Sequence, residues 1–146
     1  FDRELGGYAV GDAALALLDR FQFDTILYPI NWVMWHAGNF GPGVVRRAQE
    51  QGLGILALKA LARQPWPAGA EKTWPKCWYE PVDTPEDALW GMRFTLSRGV
   101  TAAVSPSHAE LLWQMCDVAP QVTPLTPAEE ALLAERSAAY KPLFVA

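Results

Sequence analysis

The chain has 146 residues, 51% of them hydrophobic and 19% charged, a balance that suits one globular domain with a real core and excludes a disordered chain. Its net charge is -4 with an isoelectric point near 5.1, and Lys and Arg are scattered in ones and twos, so no basic stripe follows a phosphate backbone and nucleic acid is not expected as a partner. No apolar run approaches the roughly 20 residues that span a bilayer, and Phe1-Asp2-Arg3-Glu4 does not open a signal peptide.

In chain order, residues 3–10 have room for a strand, weakened by Gly6 and Gly7. The first clear element is a helix over 12–21, with Asp12 as N-cap and Ala14, Leu17, Leu18 and Phe21 as a buried stripe at helical spacing. Residues 24–30 form a short β-branched apolar run, the pattern of a strand covered on both faces in a parallel sheet. A Trp-rich connection over 31–40 leads to Gly41-Pro42-Gly43 and a second helix over 42–51. Val44, Val45 and Ala48 point inward there, and Arg46, Arg47, Gln49 and Glu50 outward. Gly52 suits the left-handed position after that helix. Residues 54–59 are the next buried strand.

The stretch 63–83 has no clean periodicity and mixes Pro65, Pro67, Pro75 and Pro81 with Trp66, Trp74 and Trp78. Long loops of this kind are often functional, which points to a lid or a partner surface. Cys77 within it and Cys116 further on stand far apart, outside any zinc-like cluster. They read as two free thiols of a reducing cytoplasm. A helix then opens with Thr84 as N-cap and Pro85 at its first position. It runs to about 98 with Leu89, Met92 and Leu96 on its inner face, and Gly99 ends it. Residues 100–104 form a third buried strand. Ser107-His108-Ala109-Glu110 predicts a capping box for the next helix, and Thr126-Pro127-Ala128-Glu129 a second box for the last one.

Strand and helix alternate and every crossover reads as helical, which argues a parallel α/β architecture with right-handed crossovers. At most four strand–helix units fit, whereas a complete (β/α)₈ barrel needs about 250 residues. The expected fold is therefore a single α/β domain of parallel β/α units, about half of such a barrel, closed by a C-terminal helix. The start at Phe1 rather than Met is what a fragment or a processed product shows.

Several of these stretches resemble one family, the aldo/keto reductases. Residues 23–32 (FDTILYPINW) resemble their sixth strand, and 52–62 (GLGILALKALA) their seventh. Residues 75–81 (PKCWYEP) and 96–104 (LSRGVTAAV) resemble the approach to, and the body of, the eighth strand in a subgroup described broadly as predicted oxidoreductases. The order is collinear from about 13 to 144. Arg3-Glu4-Leu5-Gly6 is a divergent match to the fifth strand, with Gly7, Tyr8, Ala9 and Val10 replacing its usual ending.

The family reduces aldehydes and ketones with NADPH through an Asp, Tyr, Lys and His at the ends of its first four strands. The resemblance places all four outside this chain, so it implies no catalytic residues here and no reductase activity for the chain alone. What it implies is a remnant of the cofactor site. Lys59 matches the strand end that borders the pyrophosphate, and Ser105, Ser107, His108 and Glu110 occupy the turn and helix start that hold cofactor phosphate. A helix N-terminus suits that task because its free N–H groups and dipole attract anions. Leu27 replaces a Gln that contacts the nicotinamide amide, and Leu58 a stacking Tyr, so NADPH binding is expected to be weak or absent. For each residue a plainer reading stands beside this one. Lys59 is a solvated or barrel-layer lysine, Ser107 and His108 are capping sequence, Tyr28 is a packed strand residue and His36 a surface-loop residue.

A sheet cut from a barrel has open edges and one bare apolar face, so self-association, as a homodimer or larger, is expected. A separate chain carrying the N-terminal half of the barrel is the other partner the resemblance suggests, one that would supply the missing residues to a working reductase. The alternative is a self-assembling, non-catalytic scaffold or interaction module that meets a partner through its Trp/Pro loop. No metal site is expected.

Overall fold

A computed structural model describes residues 11–146, so the candidate strand over 3–10 lies outside the described residues. Strands β1 (Thr25–Pro29), β2 (Gly54–Leu58) and β5 (Ala102–Ala103) form a parallel sheet in the order β1-β2-β5. Ile26 lies beside Ile55, and Leu56 joins Leu27 on one side to Ala102 on the other. The third strand is thus shorter than 100–104. The described sheet is open, with no closed barrel.

Around it lie α1 (Gly11–Arg20), α2 (Trp32–Ala37), α3 (Pro42–Glu50), α4 (Pro85–Leu96), α5 (Ala109–Val118) and α6 (Pro127–Ser137). None is long and apolar enough to cross a membrane. One sheet face, carrying Tyr28, Ile55 and Ala57, builds the larger core with Leu18 of α1, Val44, Val45 and Ala48 of α3, and Phe94 of α4. The opposite face is less protected: Leu27 is 57% exposed and Leu56 and Leu58 are half-buried. The expectation that 24–30 is covered on both faces is corrected accordingly. The open side of β1 is confined to Thr25 and Leu27, while Tyr28 and Pro29 at its end are buried on both faces.

The stretch 63–83 is not a structureless loop. β3 (Ala62–Pro65) and β4 (Tyr79–Pro81) pair antiparallel, with an irregular register between Ala62 and Gln64. Not every connection is therefore a helical crossover. Pro65 and Pro81 sit at strand ends, where a short two-stranded pairing tolerates them, and Pro67 and Pro75 lie in the connection between the strands. With Cys77 and Val82 the ribbon closes a second core against Ala88 and Met92 of α4 and Leu111, Met115 and Val118 of α5.

Three helices differ from the sequence reading. α2 falls inside the Trp-rich connection, where Asn31 caps it by accepting from the Met34 N–H at 2.8 Å. α1 buries only Leu18, while Leu17 and Phe21 are about half exposed; Ala14 and Leu15, not Leu17 and Phe21, complete its packed stripe. α4 buries Ala88, Gly91, Met92, Phe94 and Thr95 and leaves Leu89 and Leu96 half-buried. Its buried band is wide because α4 serves both cores. At Gly91 the chain runs so close that a Cβ there would sit 2.5 Å from the Ala60 carbonyl oxygen. The last box forms as its spacing predicts: Thr126 and Glu129 cap each other at the start of α6, and α6 then buries Leu133 and Ser137.

Candidate functional site

In parallel sheets ligands gather at the carboxyl ends of the strands. Lys59 follows β2 directly and has φ +70, a left-handed conformation that disfavours a residue with a side chain. The turn is held from below by Asn31, whose side-chain amide donates to the carbonyl oxygens of Lys59 at 3.3 Å and Ala62 at 3.1 Å. Asn31 is 1% exposed, and its capping of α2 ties that helix to the end of β2.

The Lys59 side chain runs into an aromatic bracket. Its Nζ lies 4.5 Å from the centre of the Tyr79 ring and 5.1 Å from that of Trp78. Burial lowers the Lys59 pKa below that of an ordinary lysine, opposed by a smaller contribution from the neighbouring Cys77. Burial likewise pushes the Tyr79 hydroxyl above its usual range, so it stays protonated. Cys77 is buried and Cys116 exposed, both as free thiols.

The second part lies after β5. Val104 donates its N–H to the Ala57 carbonyl at 2.8 Å, which carries the chain past the sheet into the turn of Ser105, Ser107 and His108. The predicted Ser107–Glu110 box does not form. His108, not Ser107, is the N-cap of α5, without a side-chain cap, and Ser107 and Glu110 are exposed. The reason is a competing anchor. The His108 Nε2 accepts from the Lys76 N–H at 3.1 Å, and its ring meets Trp74 edge-on at 5.0 Å. That leaves the ring proton on Nδ1, 3.9 Å from a Glu110 carboxylate oxygen. The first N–H groups of α5 receive no hydrogen bond from the side chain of the N-cap residue.

The Trp/Pro stretch joins the two parts. Lys76 binds His108, while Trp78, two positions on, covers Lys59. Trp66 and Trp74 fix this stretch through Nε1–H bonds to the Cys77 carbonyl, 2.8 Å, and to Asp83, 3.1 Å. It is a structured wall, and its part in the site was missed from sequence because nothing periodic marks it. Asn31 was also missed, although an Asn just before a Trp-rich apolar run is an available N-cap signal.

The remaining candidates separate from this region. Tyr28 is a packed strand residue, stacked on Phe40 at 5.2 Å. Its buried hydroxyl lacks a hydrogen-bond partner among the described residues and is pushed above its usual pKa by burial. His36 is not a loop residue. It lies in the last turn of α2, with its Nε2 3.2 Å from Glu130 of α6 and its ring 5.5 Å from Phe94. Among the described residues no group of three or more His, Cys, Asp or Glu could hold a metal ion.

The region thus holds an amine flanked by two aromatic rings and, after the neighbouring strand, a helix start without a side-chain cap. No family model, characterised protein or solved structure matches the chain.

Proposed function

We propose that the chain is part of a (β/α)₈ barrel of aldo/keto reductase type, about half of one, without reductase activity alone and with a weak NADPH-binding remnant. One observation carries this reading. Three parallel strands lie side by side in chain order with their helices on one face, and Lys59 and the 105–110 turn follow two neighbouring strands. A barrel wall has this form, helices outside and apolar side chains inside. Leu27, Leu56 and Leu58 are the residues that would face such an interior.

In this reading the N–H groups at the start of α5 and the hydroxyls of Ser105 and Ser107 receive cofactor phosphate, and Lys59 adds a positive charge at the end of the adjacent strand. NADPH, when bound, supplies hydride. The family's Asp, Tyr, Lys and His have no counterpart here, and buried Tyr28 offers no accessible acid. The test is a fluorescence titration with NADPH beside a carbonyl-dependent NADPH oxidation assay. Weak binding that Ser107→Glu abolishes, with no turnover, supports the reading; tight binding with turnover by the chain alone overturns it.

The exposed Leu27, with Phe23 42% and Phe21 48% exposed nearby in the chain, favours a second reading that is compatible with the first. The open side of the sheet associates with a second copy of this chain, as a self-assembling half barrel.

A further inference from the structure

We propose that His108 is a pH-sensitive latch: its neutral ring holds the connection between β3 and β4 against α5, and protonation of the ring releases it. The proposal does not rest on the cofactor reading, since it concerns a contact within the chain and no bound nucleotide.

Three observations carry it. First, the contact needs the neutral ring. The Lys76 backbone N–H donates to His108 Nε2 at 3.1 Å, and an imidazole nitrogen accepts only while it carries no proton. Protonation puts a second N–H where the acceptor was, so two donors face each other. Turning the ring does not restore the bond, because both nitrogens of an imidazolium are donors. Second, this bond ties the connection to α5 across 32 residues of sequence. The connection's other printed bonds are local: the Ala70 N–H to the Pro67 carbonyl, the Cys77 N–H to that of Trp74, and the Trp66 and Trp74 indoles to Cys77 and Asp83. Loss of the latch therefore frees the chain around Lys76 while β3 and β4 stay paired. Third, the ring is held in place. His108 is the N-cap residue of α5, Trp74 meets its ring edge-on at 5.0 Å, and its side chain is 12% exposed.

Charged groups stand on both sides of the ring. From α5, a Glu110 carboxylate oxygen lies 3.9 Å from Nδ1, so it stabilises the imidazolium without engaging Nε2. From the connection comes the ammonium of the exposed Lys76, a like charge on the residue that the imidazolium would have to keep. Asp83 is engaged by the Trp74 indole, and the turn Ser105-Pro106-Ser107 before the ring carries no charge. Once the ring is protonated, Glu110 and Lys76 both favour the open state. Histidine is the side chain that changes charge between about pH 5 and 8, so mild acidification is the trigger.

The experiment follows single backbone amides by NMR hydrogen exchange at about pH 7.5 and about pH 5.5, each rate divided by that of an unfolded chain at the same pH. In the wild type, Lys76 and Cys77 are expected to lose about tenfold in protection on acidification, the effect of one net hydrogen bond. Val45 of α3, bonded to the Gly41 carbonyl, should change little. In His108→Gln an amide oxygen takes the place of Nε2 and does not titrate, so Lys76 and Cys77 should show no pH dependence. His36→Gln removes the chain's other histidine and should leave the wild-type response intact. If His108→Gln does not fold, the wild type and His36→Gln decide alone. Unchanged protection of Lys76 and Cys77 in the wild type, an equal loss at Val45, a loss that persists in His108→Gln, or one that disappears in His36→Gln would each overturn the proposal.

Discussion

Arg93 of α4 holds Glu129 of α6 through two parallel hydrogen bonds, Nη1 to Oε1 and Nη2 to Oε2, each 2.8 Å long. The same carboxylate accepts the backbone N–H of Thr126 at 2.8 Å, so one side chain caps α6 and docks it to α4. Arg93 and then Thr126 hold the Glu129 pKa at about 2, against an ordinary 4.5. A carboxylate with a depressed pKa stabilises the fold fully above its unfolded value, and that contribution is lost as pH falls toward its folded one. Between pH 4.5 and 2 the wild type should therefore lose stability more steeply than Glu129→Gln. Urea midpoints measured across this window decide it; parallel curves would show that the pair does not couple to folding.

Asn31 joins α2, the end of β2 and the start of β3 through three hydrogen bonds. Asn31→Ala removes a cap and strips a donor from two carbonyls, so it should cost about 2–4 kcal/mol. Thr84→Ala removes a single exposed cap, from the Asp87 N–H, and should cost about 1 kcal/mol. Urea denaturation of both variants tests the ordering, and a smaller loss at Asn31 than at Thr84 would contradict the bridging role. Near-ultraviolet circular dichroism of Asn31→Ala should also change, because the bracket of Trp78 and Tyr79 stands over the turn that Asn31 fixes.

The parts of this fold legible in the sequence are those written in repeating local signals. α3 shows its Val44, Val45 and Ala48 stripe and its closing Gly52, which has φ +72. α6 shows its capping box. The parts that stayed hidden are decided by tertiary contacts. α2 spans six residues, too short for a helical period to emerge. β3 and β4 need each other to exist. The start of α5 reads as a box at Ser107, yet His108 takes the cap because Lys76 and Trp74 hold its ring from another part of the chain. Lys59 could be placed at a strand end from sequence, but the two rings that flank its amine could not.

Gly91 and Gly52 separate two reasons for a glycine. A methyl group at Gly91 would meet the Ala60 carbonyl oxygen at 2.5 Å, a backbone atom that cannot swing away, whereas at Gly52 nothing lies within 4 Å. Gly91→Ala should thus force α4 off the second core and cost about 2–3 kcal/mol. Gly52→Ala meets only the strain of its positive φ, about 1 kcal/mol. Thermal melts of the two variants check the difference, and equal losses would mean that α4 can shift outward freely.

His36 gives the fold a second pH dependence. Burial, above all, lowers its pKa below the ordinary 6.5; Glu130 opposes this and Arg98 adds to it. Glu130 faces it from α6, and Arg98, just past α4, is bound to the same Glu130 at 2.6 Å. A histidine with a lowered pKa stabilises the fold above its unfolded value, and this is lost as pH falls through the folded one. The wild type should lose stability as pH falls below 6.5, and His36→Gln should flatten that part of the profile. Chemical denaturation between about pH 7 and about pH 5 measures it, and an unchanged slope in the variant would assign the loss to other groups.

Leu27 distinguishes the folding of this chain from its self-association. Its partners in the row, Leu56 and Ala102, are half-buried, while Leu27 itself is 57% exposed. A charge there removes little packing, so Leu27→Lys should leave the urea midpoint of the isolated chain within about 0.5 kcal/mol of wild type. It should weaken any complex that buries this side of the sheet, because the charge would be carried into an apolar contact. By light scattering at micromolar concentration the wild type should show a mass above one chain, and Leu27→Lys the mass of one. A single-chain mass for the wild type would exclude self-association through this face, and an unchanged oligomer in the variant would move the contact elsewhere.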